Sequence, residues 1–135
     1  MRKIDVFFYG LFMDEDLLRS KGVTPANLRP AAVAGFELRI GDRATLIPAH
    51  SGLVYGLVAS LSHAELERLY SEPSVSAYRP EAVLAELSTG EVLAALCFNL
   101  PEPPSAGERN VDYALKLRSL AERLNFPADY VASIR

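Results

Sequence analysis

Two tight-turn signals constrain the fold of this chain more than any other feature. Gly41-Asp42 separates the apolar runs Val33–Ile40 and Ala44–Ile47, and Ser88-Thr89-Gly90 separates Glu81–Leu87 from Glu91–Leu100. Runs joined by two or three turn residues fold back as antiparallel neighbours, because a parallel crossover needs a dozen residues or more. Any architecture for the chain must therefore contain two hairpins.

The other segments are read around them. Ile4–Tyr9 is short, apolar and aromatic, which predicts a buried strand ended by Gly10. Asp14 is placed to cap a short helix to Ser20, and Gly22 and Pro25 mark a loop. Pro48–Gly52 reads as a loop, and Leu53–Ser60, apolar on both faces, as a central strand. Ser62 with Glu65 forms a capping box that opens a helix to Tyr70. Glu72–Pro80 reads as a loop and Pro101–Gly107 as a surface crossing. Asn110 then caps a helix whose stripe is Tyr113, Leu117, Leu120 and Leu124, and Pro127 opens a last short helix ending near Ile134. This order predicts an α+β fold: a small mixed, mostly antiparallel sheet, rolled into a β-barrel, with flanking helices.

Composition narrows the function. The 135 residues suit a single domain spanning 1–135, and 50% of them are hydrophobic, enough for a core without staples. Lys+Arg total 14 against 17 Asp+Glu, a net charge of −3 with no basic stripe. That argues against nucleic acid or an anionic membrane surface as a partner. Asp5 interrupts any signal-peptide apolar region, and no run approaches a membrane span. The lone Cys97 lies in an apolar run and reads as a buried, inert thiol, so a reduced, cytoplasmic setting is expected. His50 and His63 are expected to face solvent, and their spacing offers no metal site. Phosphate-binding glycine loops and the Gly-x-Ser-x-Gly elbow are lacking. Chemistry is left to carboxylates, tyrosines and backbone amides.

Two places could carry it. The turn Tyr9-Gly10-Leu11-Phe12 ends a buried strand just before a helix, where backbone N–H groups can converge on a carboxylate or oxyanion. An ordinary strand-to-helix turn is the competing reading. Glu72 follows a helix end, the negative pole of the helix dipole, which disfavours a carboxylate's charge; if it is also partly buried, it suits a general base near neutral pH. An exposed loop glutamate is the competing reading there. Tyr9 and Tyr78 are candidates to line a pocket and donate hydroxyl hydrogen bonds, or to pack in the core. Glu81 is the fallback carboxylate, expected at a sheet edge or paired with a base such as Arg79.

These pieces, in their order, resemble the γ-glutamylcyclotransferase-like family over nearly the whole chain. The resemblance rests on Tyr9-Gly10-Leu11-Phe12 after an apolar strand, Val54-Tyr55-Gly56-Leu57-Val58 leading into Glu65–Leu69, Glu72 followed by Tyr78-Arg79-Pro80-Glu81-Ala82-Val83, and the ending Phe126–Val131. It implies that the α-amine of a γ-glutamyl group attacks its own γ-carbonyl, giving 5-oxoproline and an amine or amino acid. It further implies Glu72 as general acid and base, substrate held at Tyr9, Gly10, Leu11, Phe12 and Tyr78, a small-molecule γ-glutamyl substrate as partner, and no metal or cofactor. The chain departs from the pattern at Pro73, where glycine is usual, and in Leu69-Tyr70-Ser71-Glu72, which is one residue short and lacks an aspartate. Bulky Leu11-Phe12 also replace smaller or polar residues. A catalytically silent member binding a small carboxylate or a protein partner is the alternative.

Overall fold

The computed structural model describes residues 2–135. Five strands, β1 (Lys3–Phe8), β2 (Ala26–Ile40), β3 (Ala44–Ser62), β4 (Arg79–Leu87) and β5 (Val92–Asn99), close a barrel in the order β1-β3-β2-β4-β5. Four of the seams are antiparallel, two of them, β2–β3 and β4–β5, being the expected hairpins. The fifth is a parallel contact of β1 with β5 at Val6 and Leu96, which makes the sheet mixed. Four helices flank it: α1 (Glu15–Ser20), α2 (His63–Leu69), α3 (Val111–Arg123) and α4 (Ala128–Ser133). None of the described helices is long and apolar enough to cross a membrane.

The helix starts follow from their caps. Asp14 accepts from the Asp16 and Leu17 amides at 3.0 and 3.4 Å. Ser62 and Glu65 complete the capping box, with the Glu65 amide donating to Ser62 Oγ and the Ser62 amide to Glu65 Oε1. Burial alone would raise Glu65, but the amides of Ser62 and Thr24 outweigh it and hold its carboxyl below the usual range. Asn110 Oδ1 caps α3 through the Tyr113 amide at 3.1 Å. The α3 stripe turns inward, with Leu117 and Leu120 buried.

The segment Pro48–Gly52 departs from expectation. It is strand, inside the 19 residues of β3, and β2 begins at Ala26 rather than Val33. The two form one long hairpin whose pairing carries on past a register shift between Ala34 and Phe36. Gly35 sits in that shift at φ 89°, a conformation that favours glycine, and Pro48 pairs opposite Phe36 just beyond it. A proline beside a bulge costs the ladder little, and Gly52 leaves room for the Phe36 carbonyl. Pairing across the hairpin thus overrides the local loop signal.

The core fills the barrel and the space under the helices. Val6, Phe7 and Phe8 of β1 are all buried, as are Leu57, Val58 and Ala59 of β3, so both faces of these strands are covered. Cys97 is buried as expected; burial, and then the nearby Glu81 charge, push its thiol up to about 12. A thiol so protonated is inert at neutral pH.

Candidate active site

β1 delivers its last residues to the place where β5 ends and β3 begins. Gly10 follows, then a single 3-10 turn, Leu11–Met13, then α1. The Tyr9 hydroxyl donates to the Phe98 carbonyl at 2.7 Å and ties the two strand ends together. Beside this junction lies a cavity of about 360 Å³, lined by Tyr9, Gly10, Leu11 and Phe12 on one side and by Glu72 and Tyr78 on another. All six residues singled out in the sequence as catalytic or substrate-binding therefore share one cavity, of a size typical for small-molecule sites.

The turn is built differently from a simple cradle of amides. The Leu11 amide donates to the Tyr113 hydroxyl of α3 at 3.2 Å, so it is already used. Gly10 is extended, with φ −114°; the reason for glycine there is space, since a Cβ would collide with the Tyr113 hydroxyl. Among the described residues, the Gly10 and Phe12 amides have no acceptor in the chain. The Phe12 ring packs edge-on to Phe8 and Tyr70, with centroids 6.0 and 5.7 Å apart. Tyr70 in turn stacks on Phe98 at 4.1 Å. Phe12 thereby becomes wall rather than obstruction.

Neither candidate tyrosine keeps its proton for a ligand. Tyr9 donates to the Phe98 carbonyl and Tyr78 to the Ala44 carbonyl. Their oxygens can still accept. Burial raises both hydroxyls above the ordinary tyrosine range, Tyr9 well above it, and does the same at Tyr70 and Tyr113. The site is thus lined by four neutral phenols.

Glu72 stands just after the C-terminal cap of α2, Tyr70. Pro73 occupies the second position of a turn closed by the Val75 amide on the Glu72 carbonyl at 3.0 Å. Proline suits that position, since its φ is preset and its missing N–H is not called on. The Glu72 carboxylate, 41% exposed, takes both of its oxygens to Lys21 Nζ at 2.9 Å. Lys21 caps the C-terminus of α1 and lines the same cavity. Its positive charge, rather than the helix dipole alone, sets the field at Glu72.

Lys21, Tyr70 and Tyr113 were not singled out as site residues by sequence reasoning. Tyr113 and Tyr70 were legible only as apolar helix positions, and Lys21 only as the residue before Gly22. Glu81, the fallback carboxylate, is exposed and lies outside the cavity; it takes a hydrogen bond from Asn99 rather than an ion pair with Arg79. His50 and His63 are exposed. Among the described residues no group of three or more His, Cys, Asp or Glu is placed to hold a metal.

Residues 6–115 match the family described as gamma-glutamyl cyclotransferase, AIG2-like. The chain belongs to that family. Solved structures agree in fold. One titled gamma-glutamyl cyclotransferase superposes at a TM-score of 0.80 with 16% identity, covering 99% of this chain and 89% of that one. An uncharacterized protein from Homo sapiens gives 0.78 at 18% identity, with 100% and 89% covered. YkqA from Bacillus subtilis gives 0.78 at 21% identity, covering 98% of this chain and 52% of that one. No curated protein sequence matches the chain. Within this cyclotransferase family the fold, a closed mixed barrel with flanking helices, is the common property at such identities.

Proposed function

We propose that this chain is a cyclotransferase that cleaves a γ-glutamyl amine or peptide to 5-oxoproline, with Glu72 as general acid and base. The observation that carries the reading is the shared cavity, which brings the only carboxylate singled out as catalytic to the turn that follows β1. The γ-glutamyl α-carboxylate would lie on the free Gly10 and Phe12 amides. Glu72 takes a proton from the α-ammonium. The freed nitrogen attacks the γ-carbonyl carbon, the bond from that carbon to the leaving nitrogen breaks, and Glu72 returns the proton to the departing amine. The second proton shed by the attacking nitrogen passes to solvent, and no water enters the products. Folding the γ-glutamyl chain against the aromatic wall of Phe12, Tyr70 and Phe98 supplies the near-attack shape. In this scheme the incoming α-ammonium competes with Lys21 for Glu72, one cation replacing another.

A panel of γ-glutamyl amines, amino acids and peptides, with 5-oxoproline followed by mass spectrometry, tests the reading. Turnover is expected, and Glu72→Gln is expected to remove about 100- to 10,000-fold of it. Turnover that survives the substitution, or is absent across the panel, refutes it. A second reading, a catalytically silent member that binds a small carboxylate, draws on the Lys21 ammonium holding both Glu72 oxygens. It predicts γ-glutamyl or carboxylate binding by calorimetry without product.

A further inference from the structure

Of the two cations that line the cavity, Lys21 and Arg43, only Lys21 has a partner among the described residues. Among the described residues no carboxylate oxygen lies within 4.0 Å of the Arg43 guanidinium, and it donates no hydrogen bond within the chain. Yet Arg43 is half-buried, in the turn between β2 and β3. A guanidinium partly withdrawn from water and left unpaired is poised for an anion, and its planar fork of donors matches a carboxylate.

Its place in the molecule is also particular. Asp42 and Arg43 line both the cavity and a neighbouring groove of about 460 Å³, whose other wall is the Pro101–Ser105 crossing and Glu108. The Arg43 charge acts on Tyr78, on the cavity side, and on Glu108, on the groove side. Glu108 does not close on it. That carboxylate accepts instead from the Ser105 and Asp42 amides, at 2.5 and 3.2 Å. The guanidinium therefore stands at the junction of two concavities with its donors free.

We propose that Arg43 reads the leaving group: its guanidinium binds a carboxylate on the amine side of the scissile bond, where the γ-glutamyl cavity opens toward the Pro101–Ser105 groove. This rests on the cyclotransferase reading, in which the γ-glutamyl half occupies the cavity. The groove also carries Glu102 and Glu108, so a cationic leaving group is the competing occupant.

Three ligands that differ at one group decide the matter: γ-glutamyl-glycine, γ-glutamyl-methylamide, which lacks the carboxylate, and γ-glutamyl-diaminoethane, which carries an ammonium in its place. The readouts are kcat/KM with the native protein and calorimetric affinity in the Glu72→Gln background, each with and without Arg43→Met. The glycine ligand should exceed the methylamide by about 10-fold or more, and Arg43→Met should shrink that margin to about 2-fold or less. Arg43→Lys, which keeps the charge and loses the fork, should retain part of the margin, and it carries the test should the methionine variant not fold. If no ligand turns over but the affinity margin appears and depends on Arg43, the cyclotransferase reading fails while Arg43 still binds the carboxylate, as a ligand-recognition residue without a scissile bond. A margin unchanged by Arg43→Met, a preference for diaminoethane, an equal loss for all three ligands, or no binding at all overturns the assignment.

Discussion

The turn after β1 and the loop after α2 face the same cavity but are held in opposite ways. The turn is pinned from several sides: Tyr9 to the Phe98 carbonyl, the Leu11 amide to the Tyr113 hydroxyl, and Phe12 against Phe8 and Tyr70. The Glu72 loop rests on a local proline turn, the Tyr78 hydroxyl on the Ala44 carbonyl, and the ion pair to Lys21. A template that must shape a substrate gains from such pinning, since small displacements cost rate. A carboxylate that accepts a proton and gives it back must instead be able to exchange one cationic partner for another. Under the proposed cyclotransferase reading, the pinned turn would serve recognition and the less-tied Glu72 loop proton transfer.

The largest effect expected separates the two by activity and stability together. Glu72→Gln should remove most turnover, by about 100-fold or more, while thermal unfolding moves little, because the side chain is partly exposed and its ion pair is worth about 1 kcal/mol or less. Gly10→Ala should do the reverse in kind. Its Cβ meets the Tyr113 hydroxyl, so the turn or the Tyr113 side chain must shift, at a cost of about 1–3 kcal/mol, with turnover falling as well. Chemical denaturation of both variants checks the pair. A Glu72 variant that destabilises more than the Gly10 variant would break the comparison.

How far the sequence reached follows the same division. The hairpins at Gly41-Asp42 and Ser88–Gly90, the caps Asp14, Ser62 and Asn110, and the α3 stripe are local signals, and each appears in the structure. The motif residues around Tyr9–Phe12, Glu72 and Tyr78 were legible because their order along the chain resembles a family. What was not legible are the partners of those residues. Tyr113 reaches Leu11 across 102 residues, and Lys21 reaches Glu72 across 51. Nothing local distinguishes a stripe tyrosine that packs from one whose hydroxyl also accepts from the turn after β1. Pro48–Gly52 failed for a related reason: proline and glycine signal loops locally, but the β2–β3 register decided otherwise.

Tyr113→Phe should sharpen the turn side with a smaller effect. It deletes the acceptor for the Leu11 amide and should cost about 1 kcal/mol. It also has a pH signature. Burial raises the Tyr113 hydroxyl above the ordinary tyrosine range. The stability tied to that shift is complete below the unfolded value, near pH 10, and is lost as pH climbs through the raised folded value, because the unfolded chain releases the proton first. Denaturation curves measured from neutral pH upward should therefore fall above about pH 10 in the native protein and fall less steeply in Tyr113→Phe. Equal slopes would mean that folding does not raise the Tyr113 hydroxyl, the Leu11 amide bond, which favours the phenolate, then offsetting the burial.

The smallest effect on stability, and the most informative about the loop, is expected from Lys21→Met. The ion pair is partly exposed on both sides, 25% at Lys21 and 41% at Glu72, so its loss should change stability by about 1 kcal/mol or less, and high salt should narrow the difference further. Its kinetic effect divides two roles. If Lys21 only occupies Glu72 until substrate arrives, removing it lowers KM for a γ-glutamyl ligand, because the α-ammonium no longer has to displace a cation. If Lys21 also orients the carboxylate during proton transfer, kcat falls with it, and Lys21→Arg restores part of kcat. A variant with unchanged KM and unchanged kcat would place the Lys21 ammonium outside the working site and leave the loop as fixed as the turn, erasing the contrast between them.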